Sequence, residues 1–352
     1  MGLKMNKVKW NSNENKTCEN LCRFIEFNSY LKYSYTPHAL DNTFIVFTSI
    51  ENIITIIYAD INISIISYNL NDNKKINEIK NSHKNEISNF RHFLDKNNKR
   101  DLIISISAKD NNLKLWNYNN FECLINLDKI YSEGLLNSAC FLSYEDQIYI
   151  LTSNSNYYNH EKYKIKVYNI IGKPIKEING SEKDNYFIDS YYDKDMGTNF
   201  IITPNESYFY EKNKIYKTYY SDTKDKTSAI IFNDDKLKIT KLISSCDSWQ
   251  RGFIKIFNFH SGILLNEIKI IDRIYGICLW NKNNIFVGCQ DHIIRLLDIN
   301  KGVVVENKNL YGHNYSICSI KKIYHPKFGE CLISQDKEKI ELWINNKYLN
   351  EL

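Results

Sequence analysis

The sequence predicts an all-β chain that folds as one seven-bladed β-propeller of four-stranded antiparallel blades. Two observations lead to this fold class. A short strand pattern returns seven times at intervals of 40 to 52 residues, which is close to the spacing of propeller blades. Between its copies lie further runs of β-branched and aromatic residues, whereas the spacing of an amphipathic helix is scarce.

The repeated strand has an aliphatic residue, any residue, usually a second aliphatic residue, and then a large apolar residue that is most often aromatic. Its copies lie at 65–70 (IISYNL), 113–118 (LKLWNY), 165–170 (IKVYNI), 254–259 (IKIFNF), 294–299 (IRLLDI) and 340–345 (IELWIN), with a degenerate copy at 207–213 (SYFYEKN). The large residue at the fourth position is, in chain order, Tyr68, Trp116, Tyr168, Tyr210, Phe257, Leu297 and Trp343.

Each repeat holds four strand-like runs, which is the content of one blade. In the sixth repeat these runs lie at 275–280, 284–289, 293–298 and 302–308. The segment 86–97 is the best helix candidate, and we interpret it instead as the first strand of a blade that runs into a turn. A sheet of this size cannot bury both faces alone, so we expect a closed ring in which each blade packs between two neighbours.

The ring is predicted to take up residues 31–352, preceded by a polar, partly ordered N-terminal segment at 1–30. The chain has 46 basic and 41 acidic residues and a net charge of +5. The charges are mixed along the chain and do not form the long single-sign blocks that are typical of nucleic-acid-binding tails, so no nucleic-acid partner is expected. The sequence has no apolar run long enough to span a bilayer, so membrane insertion is not expected. Nine cysteines, mostly inside apolar runs, indicate a reducing compartment and hence a cytoplasmic or nuclear protein.

Polar residues recur at matching places in several repeats. In the last repeat, Gly312 and His313 precede the first strand, Ser334 lies in the second strand, Asp336 begins the next turn, and Trp343 ends the third strand.

The second repeat carries the same residue types in the same order, namely His83, Ser105 or Ser107, Asp110 and Trp116. In the sixth repeat, Asp291 lies six residues before Leu297. With these motifs the chain resembles the WD-repeat family over roughly residues 40–350. The resemblance implies that the His, Ser, Asp and Trp of one blade form a structural hydrogen-bonded tetrad.

The chain departs from this family pattern in several repeats. The third and fourth lack the histidine, the sixth has Leu297 in place of the indole, and the seventh has one extra residue between Asp336 and Trp343. The resemblance also implies that a terminal strand completes the last blade. An N-terminal strand such as 31–35 (LKYSY) and the C-terminal stretch 347–352 (KYLNEL) are the two alternatives.

The sequence carries no complete motif of catalysis or of metal binding. Cys289 and His292 are close in sequence, but Cys289 ends a predicted buried strand, whereas a nucleophilic thiolate needs an electropositive and partly open setting. His313 and His325 with Cys318 do not have the spacing of a zinc site. No cofactor and no metal are therefore expected.

Candidate binding residues lie in the connections between strands. In the WD-repeat family, the connections from strand d to strand a and from strand b to strand c share the face that commonly binds partners. Two insertions, at 153–164 and 245–252, fall on that face. The predicted partner-binding residues, of types enriched at interaction hot spots, are Tyr157, Tyr158, Trp249 and Arg251, with Tyr275 and Tyr315 just before strand a of the sixth and seventh repeats.

Three functional hypotheses fit the sequence. The favoured one is a non-catalytic scaffold or adaptor, monomeric by itself, that presents one propeller face to a protein or peptide. The second is a subunit held permanently in a larger complex. The third is an enzyme of propeller form that acts on a small molecule or glycan in the central channel, which would require clustered carboxylates and a histidine of perturbed pKa.

Overall fold

The chain forms a ring of seven antiparallel sheets, which confirms the predicted fold class. The computed structural model describes residues 21–28, 43–60, 62–72, 74–132, 134–155, 164–180, 188–219, 225–234, 237–248, 251–306 and 308–345. In this part of the chain every regular element is a β-strand. These ranges contain no helix long and apolar enough to cross a membrane.

The first half of the ring consists of three regular blades, each running from an inner strand a to an outer strand d. Strand β1 (Leu21–Asn28) precedes them. Blade one is β2 (Phe44–Thr48), β3 (Ile54–Ala59), β4 (Ile65–Asn69) and β5 (Lys74–Ile79). Blade two is β6 (Asn89–Asp95), β7 (Arg100–Ser107), β8 (Asn112–Asn117) and β9 (Glu122–Leu127). Blade three is β10 (Leu135–Tyr144), β11 (Gln147–Ser155), β12 (Lys164–Asn169) and β13 (Pro174–Asn179).

The second half of the ring continues with four more blades. Blade four is β14 (Asp189–Asp193), β15 (Thr198–Ile202), β16 (Glu206–Phe209) and β17 (Lys214–Thr218). Blade five is β18 (Asp225–Asp234), β19 (Ile239–Ser248), β20 (Arg251–Asn258) and β21 (Leu264–Ile270). Blade six is β22 (Ile274–Leu279), β23 (Asn284–Cys289), β24 (Ile293–Asp298), β25 (Val303–Val304) and β26 (Leu310–Tyr311). Blade seven is β27 (Ser319–His325), β28 (Gly329–Gln335), β29 (Lys339–Asn345) and β1.

The repeated pattern marks strand c of every blade, and the degenerate copy belongs to a complete four-stranded blade four. The segment 86–97 contains strand β6, as predicted. The run 302–308, by contrast, was predicted as one continuous outer strand and is not. Among the described residues, Val303–Val304 and, further on, Leu310–Tyr311 pair with β24, and the register shifts by three residues between the two pairings.

An N-terminal strand closes the ring. Strand β1 pairs antiparallel with β29, with Leu21 opposite Asn345 and Asn28 opposite Lys339. This strand lies about ten residues before the stretch 31–35 considered from the sequence, and both 31–35 and 347–352 fall outside the described residues. The division of the chain between residues 30 and 31 stays a prediction, and β1 precedes it.

The core lies between adjacent blades. One buried cluster joins Ile254 and Ile256 of blade five to Ile285 and Val287 of blade six, and another joins blade seven to blade one around Phe44. Burying one such side chain is favourable by about 1.5 to 3 kcal/mol, so the packing of blade on blade supplies much of the stability. This packing also fixes the relative positions of the turns at the ends of the blades.

The turns at the two ends of the strands form two faces. We name the upper face for the turns from strand b to strand c and the connections from strand d to the next strand a. The lower face carries the a-to-b and c-to-d turns. In blade seven, for example, the upper face includes residues 336–338 and the lower face residues 326–328.

Candidate partner-binding face

Tyr315 lies on the upper face, in the connection from β26 to β27, and is half-buried. The Lys337 Nζ, from the turn between β28 and β29, is 3.6 Å from the centroid of the Tyr315 ring. An ammonium at this distance is attracted to the electron-rich face of the ring. The exposed His292 of blade six has its ring centroid 6.5 Å from that of Tyr315. Two adjacent blades thus present an aromatic ring, an ammonium and an imidazole together.

A glycine positions the segment that carries Tyr315. A Cβ on Gly288 of β23 would lie 2.6 Å from Ile317 Cγ2 and 2.9 Å from the Ile317 carbonyl oxygen. The Ile317 N–H donates a 3.1 Å hydrogen bond to the carbonyl of Cys289, the residue after this glycine. The connection before β27 therefore rests on the backbone of β23, and a side chain at position 288 would push it away.

Hydrogen bonds join the upper-face segments of blades five, six and seven. The Gln290 N–H donates to the Arg273 carbonyl at 3.0 Å, and the Ser316 hydroxyl donates to the Gln290 carbonyl at 3.1 Å. A Cβ on Gly252 would lie 2.5 Å from the Asp272 carbonyl oxygen, so the connection before blade six also packs against the start of β20. Three successive blades consequently present one continuous surface.

The predicted binding residues fall into three groups. Arg251 is exposed at the start of β20, on the same face as Tyr315. Tyr275 is only 7% exposed, at a β-bulge near the start of β22, so its side chain belongs to the packed interior beneath this surface. The other three, Tyr157, Tyr158 and Trp249, lie outside the described residues.

Blade seven contains the hydrogen-bonded group that the resemblance implies. The Trp343 indole N–H donates to Ser334 Oγ at 2.7 Å, and His313 Nε2 lies 2.6 Å from the same oxygen. His313 Nδ1 is 3.0 Å from Asp336 Oδ2. Asp336 also accepts the backbone N–H groups of Glu338 and Lys339, both at 2.8 Å. The four side chains thus join two strands and two connecting segments in a buried network.

The pKa of Asp336 lies below its ordinary value. Burial by itself acts to raise it, but the hydrogen bond and positive charge from His313, together with the two backbone N–H groups, favour the carboxylate and outweigh that effect. A second buried carboxylate, Glu341, lies 2.8 Å from Lys339 Nζ and 3.3 Å from His313 Nε2. The interior of blade seven therefore contains compensating charges.

Blade two keeps part of this arrangement. The Trp116 indole N–H donates to Ser105 Oγ at 2.8 Å, and His83 Nε2 lies 2.7 Å from that oxygen. Asp110 accepts instead from the Ser107 hydroxyl at 2.9 Å and from the backbone N–H of Asn85 at 2.8 Å. The structure thereby identifies Ser105, rather than Ser107, as the serine between the imidazole and the indole.

In blade six, where Leu297 stands in place of the indole, the turn aspartate pairs with a cation. Asp291 accepts hydrogen bonds from both terminal nitrogens of Arg295, and the bond from Nη1 to Oδ1 is 2.8 Å long. Arg295 occupies the second position of the repeated strand, where Lys114 and Lys166 stand in blades two and three. These lysines donate to the backbone carbonyls of Ser82 and Ile130, at 2.6 and 2.7 Å. The two lysines therefore join strand c to the connection before strand a, whereas Arg295 joins strand c to the b-to-c turn of its own blade.

One residue that joins strand b to the connection before strand a was missed by the sequence reasoning. Blade three lacks the histidine, but the Tyr131 phenol lies 2.9 Å from Thr152 Oγ1 and donates to the Lys164 carbonyl at 3.2 Å. Tyr131 and Thr152 are both buried. The tyrosine connects the d-to-a connection with strand b, as His83 does in blade two. Tyr131 lies before strand a, where the family pattern has a histidine, and this position could have identified it.

Burial shifts the pKa of one titratable group in blade six and of one in blade two. Burial raises the pKa of the Cys289 thiol to about 12, although Arg295 opposes the shift, so the thiolate is scarce at neutral pH. Burial, assisted by the charge of Lys114, lowers the pKa of His83 to about 4. Among the described residues, no group of three or more His, Cys, Asp or Glu is placed to hold a metal ion.

Comparison with known proteins supports the ring architecture. No protein-family model matches the chain, and no curated protein matches it. Among solved structures, the crystal structure of Chaetomium thermophilum Raptor is similar, with a TM-score of 0.64 and 12% sequence identity over 88% of this chain. The likeness is one of fold. The present chain covers 28% of the length of that chain.

Proposed function

We propose that this protein is a non-catalytic interaction platform of the WD-repeat type, whose upper face binds a protein or peptide. The observation that carries the proposal is the shared surface of blades five to seven, on which Arg251 and Tyr315 are both presented. Tyrosine and arginine are among the residue types that dominate binding energies at interfaces. The platform works in the cytoplasm or nucleus, as a monomeric propeller within a larger complex.

The upper face has the composition of a binding surface. The ring of Tyr315 supplies a rigid aromatic contact, and Lys337 Nζ lies 3.6 Å from its centroid. Arg251 and His292 are exposed on the same face and add hydrogen-bonding groups. Binding energy would then come from the central aromatic residue, while the surrounding charges orient the partner.

Assignment to the WD-repeat type is supported by the internal hydrogen bonds of two blades. Trp343 with Ser334, and Trp116 with Ser105, make the same indole-to-hydroxyl bond at 2.7 and 2.8 Å. The pairing of β1 with β29 is also of the kind that the family resemblance implies. These features support a rigid scaffold.

The alternative of an enzyme in the central channel finds little support in the described residues. It requires a titratable group poised for proton transfer near neutral pH. The clearest histidine shift, that of His83, takes its pKa down to about 4 in a buried structural position. Turnover by the purified protein in a broad hydrolase screen would favour that alternative.

Capture of a partner tests the proposal. The immobilised protein should retain a polypeptide from lysate, and the Arg251→Ala and Tyr315→Ala double variant should lose most of it while its melting temperature stays within a few degrees. Tyr324→Ala is the matched control, because Tyr324 is 71% exposed near the lower-face end of β27. Equal capture by the double variant and the wild type would refute the assignment of this face.

A further inference from the structure

Three titratable side chains of blades four and five meet near the lower face, outside the surface described above. Tyr216 lies in β17, His260 in the turn from β20 to β21, and Asp193 at the end of β14. The Tyr216 hydroxyl oxygen lies 3.1 Å from His260 Nδ1, and His260 Nε2 lies 3.2 Å from Asp193 Oδ2. The imidazole therefore stands between a phenol and a carboxylate, and we name these three residues the lower-face triad.

Packing between the two blades holds the lower-face triad together. The centroid of the Tyr216 ring lies 4.8 Å from that of Phe200 and 4.7 Å from that of Phe209, so blade four fixes the phenol. A Cβ on Gly262 would lie 3.4 Å from the Thr218 carbonyl oxygen, so the turn that carries the imidazole packs against β17. The three residues of the triad are far apart in sequence, and motif matching could not bring them together.

The neighbours of the imidazole assign its proton. A carboxylate beside Nε2 favours the tautomer that carries the proton on that nitrogen, which leaves Nδ1 to accept the hydrogen bond from the phenol. Asp193 Oδ1 accepts the backbone N–H groups of Asp195 and Met196, both at 2.9 Å, and these bonds hold the carboxylate in place. A nucleophile, a base within hydrogen-bond reach and a third group that orients the base are the elements of an activated nucleophile.

The lower-face triad is open to solvent on the side of the imidazole. The His260 side chain is 36% exposed, whereas that of Asp193 is 4% exposed. Burial and, after it, the charge of Asp193 raise the pKa of Tyr216, so the phenol keeps its proton at neutral pH and needs a base before it can attack. Lys217 Nζ lies 5.8 Å from the centroid of the Tyr216 ring, and its positive charge favours the negative charge that develops during attack.

We propose that Tyr216 is a nucleophile that accepts an acyl group from an activated ester. Its oxygen forms a bond to the carbonyl carbon while the bond from that carbon to the leaving oxygen breaks. The phenol proton passes to His260 Nδ1 and then to the leaving oxygen, and Asp193 positions the imidazole. One acyl group is transferred to each chain, without turnover. The site does not depend on the function proposed for the upper face.

The surroundings of the lower-face triad suit an apolar acyl chain. Ile215, the residue before Tyr216, is 42% exposed. Met196, whose backbone N–H donates to Asp193, is 45% exposed. Exposed apolar side chains thus adjoin both the phenol and the carboxylate, and they offer contacts to an aliphatic acyl group.

Acetylation by 4-nitrophenyl acetate tests this site. Peptide mapping by mass spectrometry measures the rate at which each tyrosine gains an acetyl group at neutral pH. We expect Tyr216 to react at least about tenfold faster than Tyr324, although Tyr324 is 71% exposed, because only the former has a base within reach of its hydroxyl among the described residues. The Tyr216→Phe variant should lose the fast release of one equivalent of 4-nitrophenolate. Equal rates at the two tyrosines would overturn the proposal.

Removal of the base separates this chemistry from simple exposure. His260→Gln should slow the acetylation of Tyr216 at least about tenfold and leave that of Tyr324 unchanged. His92→Gln is the matched control and should change neither rate, because His92 Nε2 lies 2.7 Å from Asp101 Oδ1 in another His–Asp pair, between β6 and β7. An unchanged rate at Tyr216 in the His260→Gln protein, or an equal loss in the His92→Gln protein, would overturn the assignment of His260 as the base.

The role of the carboxylate has its own readout. Asp193→Asn should slow the acetylation of Tyr216 and change the dependence of its rate on pH, which a carboxylate with a purely structural role would not do. The same pH dependence in the wild type and in this variant would overturn the positioning role of Asp193. Circular dichroism of each variant confirms that the fold persists.

Discussion

Trp343 and Ser334, nine residues apart in sequence, are joined by a 2.7 Å hydrogen bond from the indole N–H to the hydroxyl oxygen. The same oxygen lies 2.6 Å from His313 Nε2. Strand b, strand c and the connection before strand a are thus joined at one buried atom. His313 and Tyr315 lie in the same connection, between β26 and β27, so the internal network of blade seven supports the surface to which we assign binding.

Removal of the Ser334 hydroxyl should destabilise the folded protein. We expect Ser334→Ala to lower the free energy of unfolding by about 2 to 6 kcal/mol, because two buried polar groups lose their partner and each such loss costs about 1 to 3 kcal/mol. Chemical denaturation measures the change. Ser132→Ala, at an exposed position, should change it by less than about 0.5 kcal/mol. Equal effects of the two substitutions would contradict a structural role for Ser334.

Substitution of Gly288 should displace the upper-face connection that carries Tyr315. The Gly288→Ala variant brings a Cβ to within 3 Å of Ile317, and we expect a loss of about 1 to 3 kcal/mol, as in overpacked cores. Gly276→Ala, whose Cβ would meet Ser319 Cα at 3.2 Å, should cost less. Thermal unfolding of both variants gives the order. A larger loss from the Gly276 variant would show that the connection before β27 does not rest on Gly288.

The period of the repeat was enough to predict the ring, because blades of one size need one length of chain. The bounds and pairing of individual strands within a blade were predicted less accurately. The outer strand of blade six was predicted as 302–308 from its aliphatic composition, which could not show that its pairing with β24 shifts by three residues. Outer strands lie at the edge of the sheet, where hydrophobic patterning constrains pairing least.

The site was predicted less completely than the fold. Loop position correctly placed Arg251 and Tyr315 on one face, but the pattern before strand a did not reveal that Tyr275 is buried. Motif matching also missed Tyr131, since a phenol serves there in place of an imidazole. Such substitutions preserve a hydrogen bond while changing the residue type, and a search by residue type cannot detect them.

Stability should fall on mild acidification. The folded protein holds the pKa of His83 at about 4, below its ordinary value of 6.5, because burial disfavours the imidazolium. The unfolded chain therefore binds a proton that the folded chain does not as the pH drops from 6.5 to 4. The cost reaches roughly 3 kcal/mol at the acidic end of this window and is absent above pH 7.

Urea unfolding at several pH values, for the wild type and for His83→Gln, checks this expectation. The variant should be less stable at pH 7 and should lose part of the decline between pH 6.5 and 4. The difference between the two curves isolates His83 from the other titrating groups. Parallel curves would contradict the assignment of a neutral, buried imidazole.

Packing between blades five and six should be sensitive to truncation. Ile254 is fully buried in the cluster that joins them, so Ile254→Ala should lower the free energy of unfolding by about 2 to 5 kcal/mol. Ile271→Ala is the control, because Ile271 is 88% exposed, and its effect should stay below about 0.5 kcal/mol. Similar losses in denaturant titrations of the two variants would contradict the packing described for this pair of blades.

The central claim is that the upper face of blades five to seven contacts a protein partner, and site-specific photocrosslinking tests it most directly. A photoreactive amino acid is placed at His292, which is exposed beside Tyr315, and, in a second protein, at the exposed Tyr324 near the lower face. We predict that irradiation in lysate joins a discrete polypeptide to the His292 protein, and that Tyr315→Ala removes this product. No product at His292, or the same product from both positions, would contradict the account.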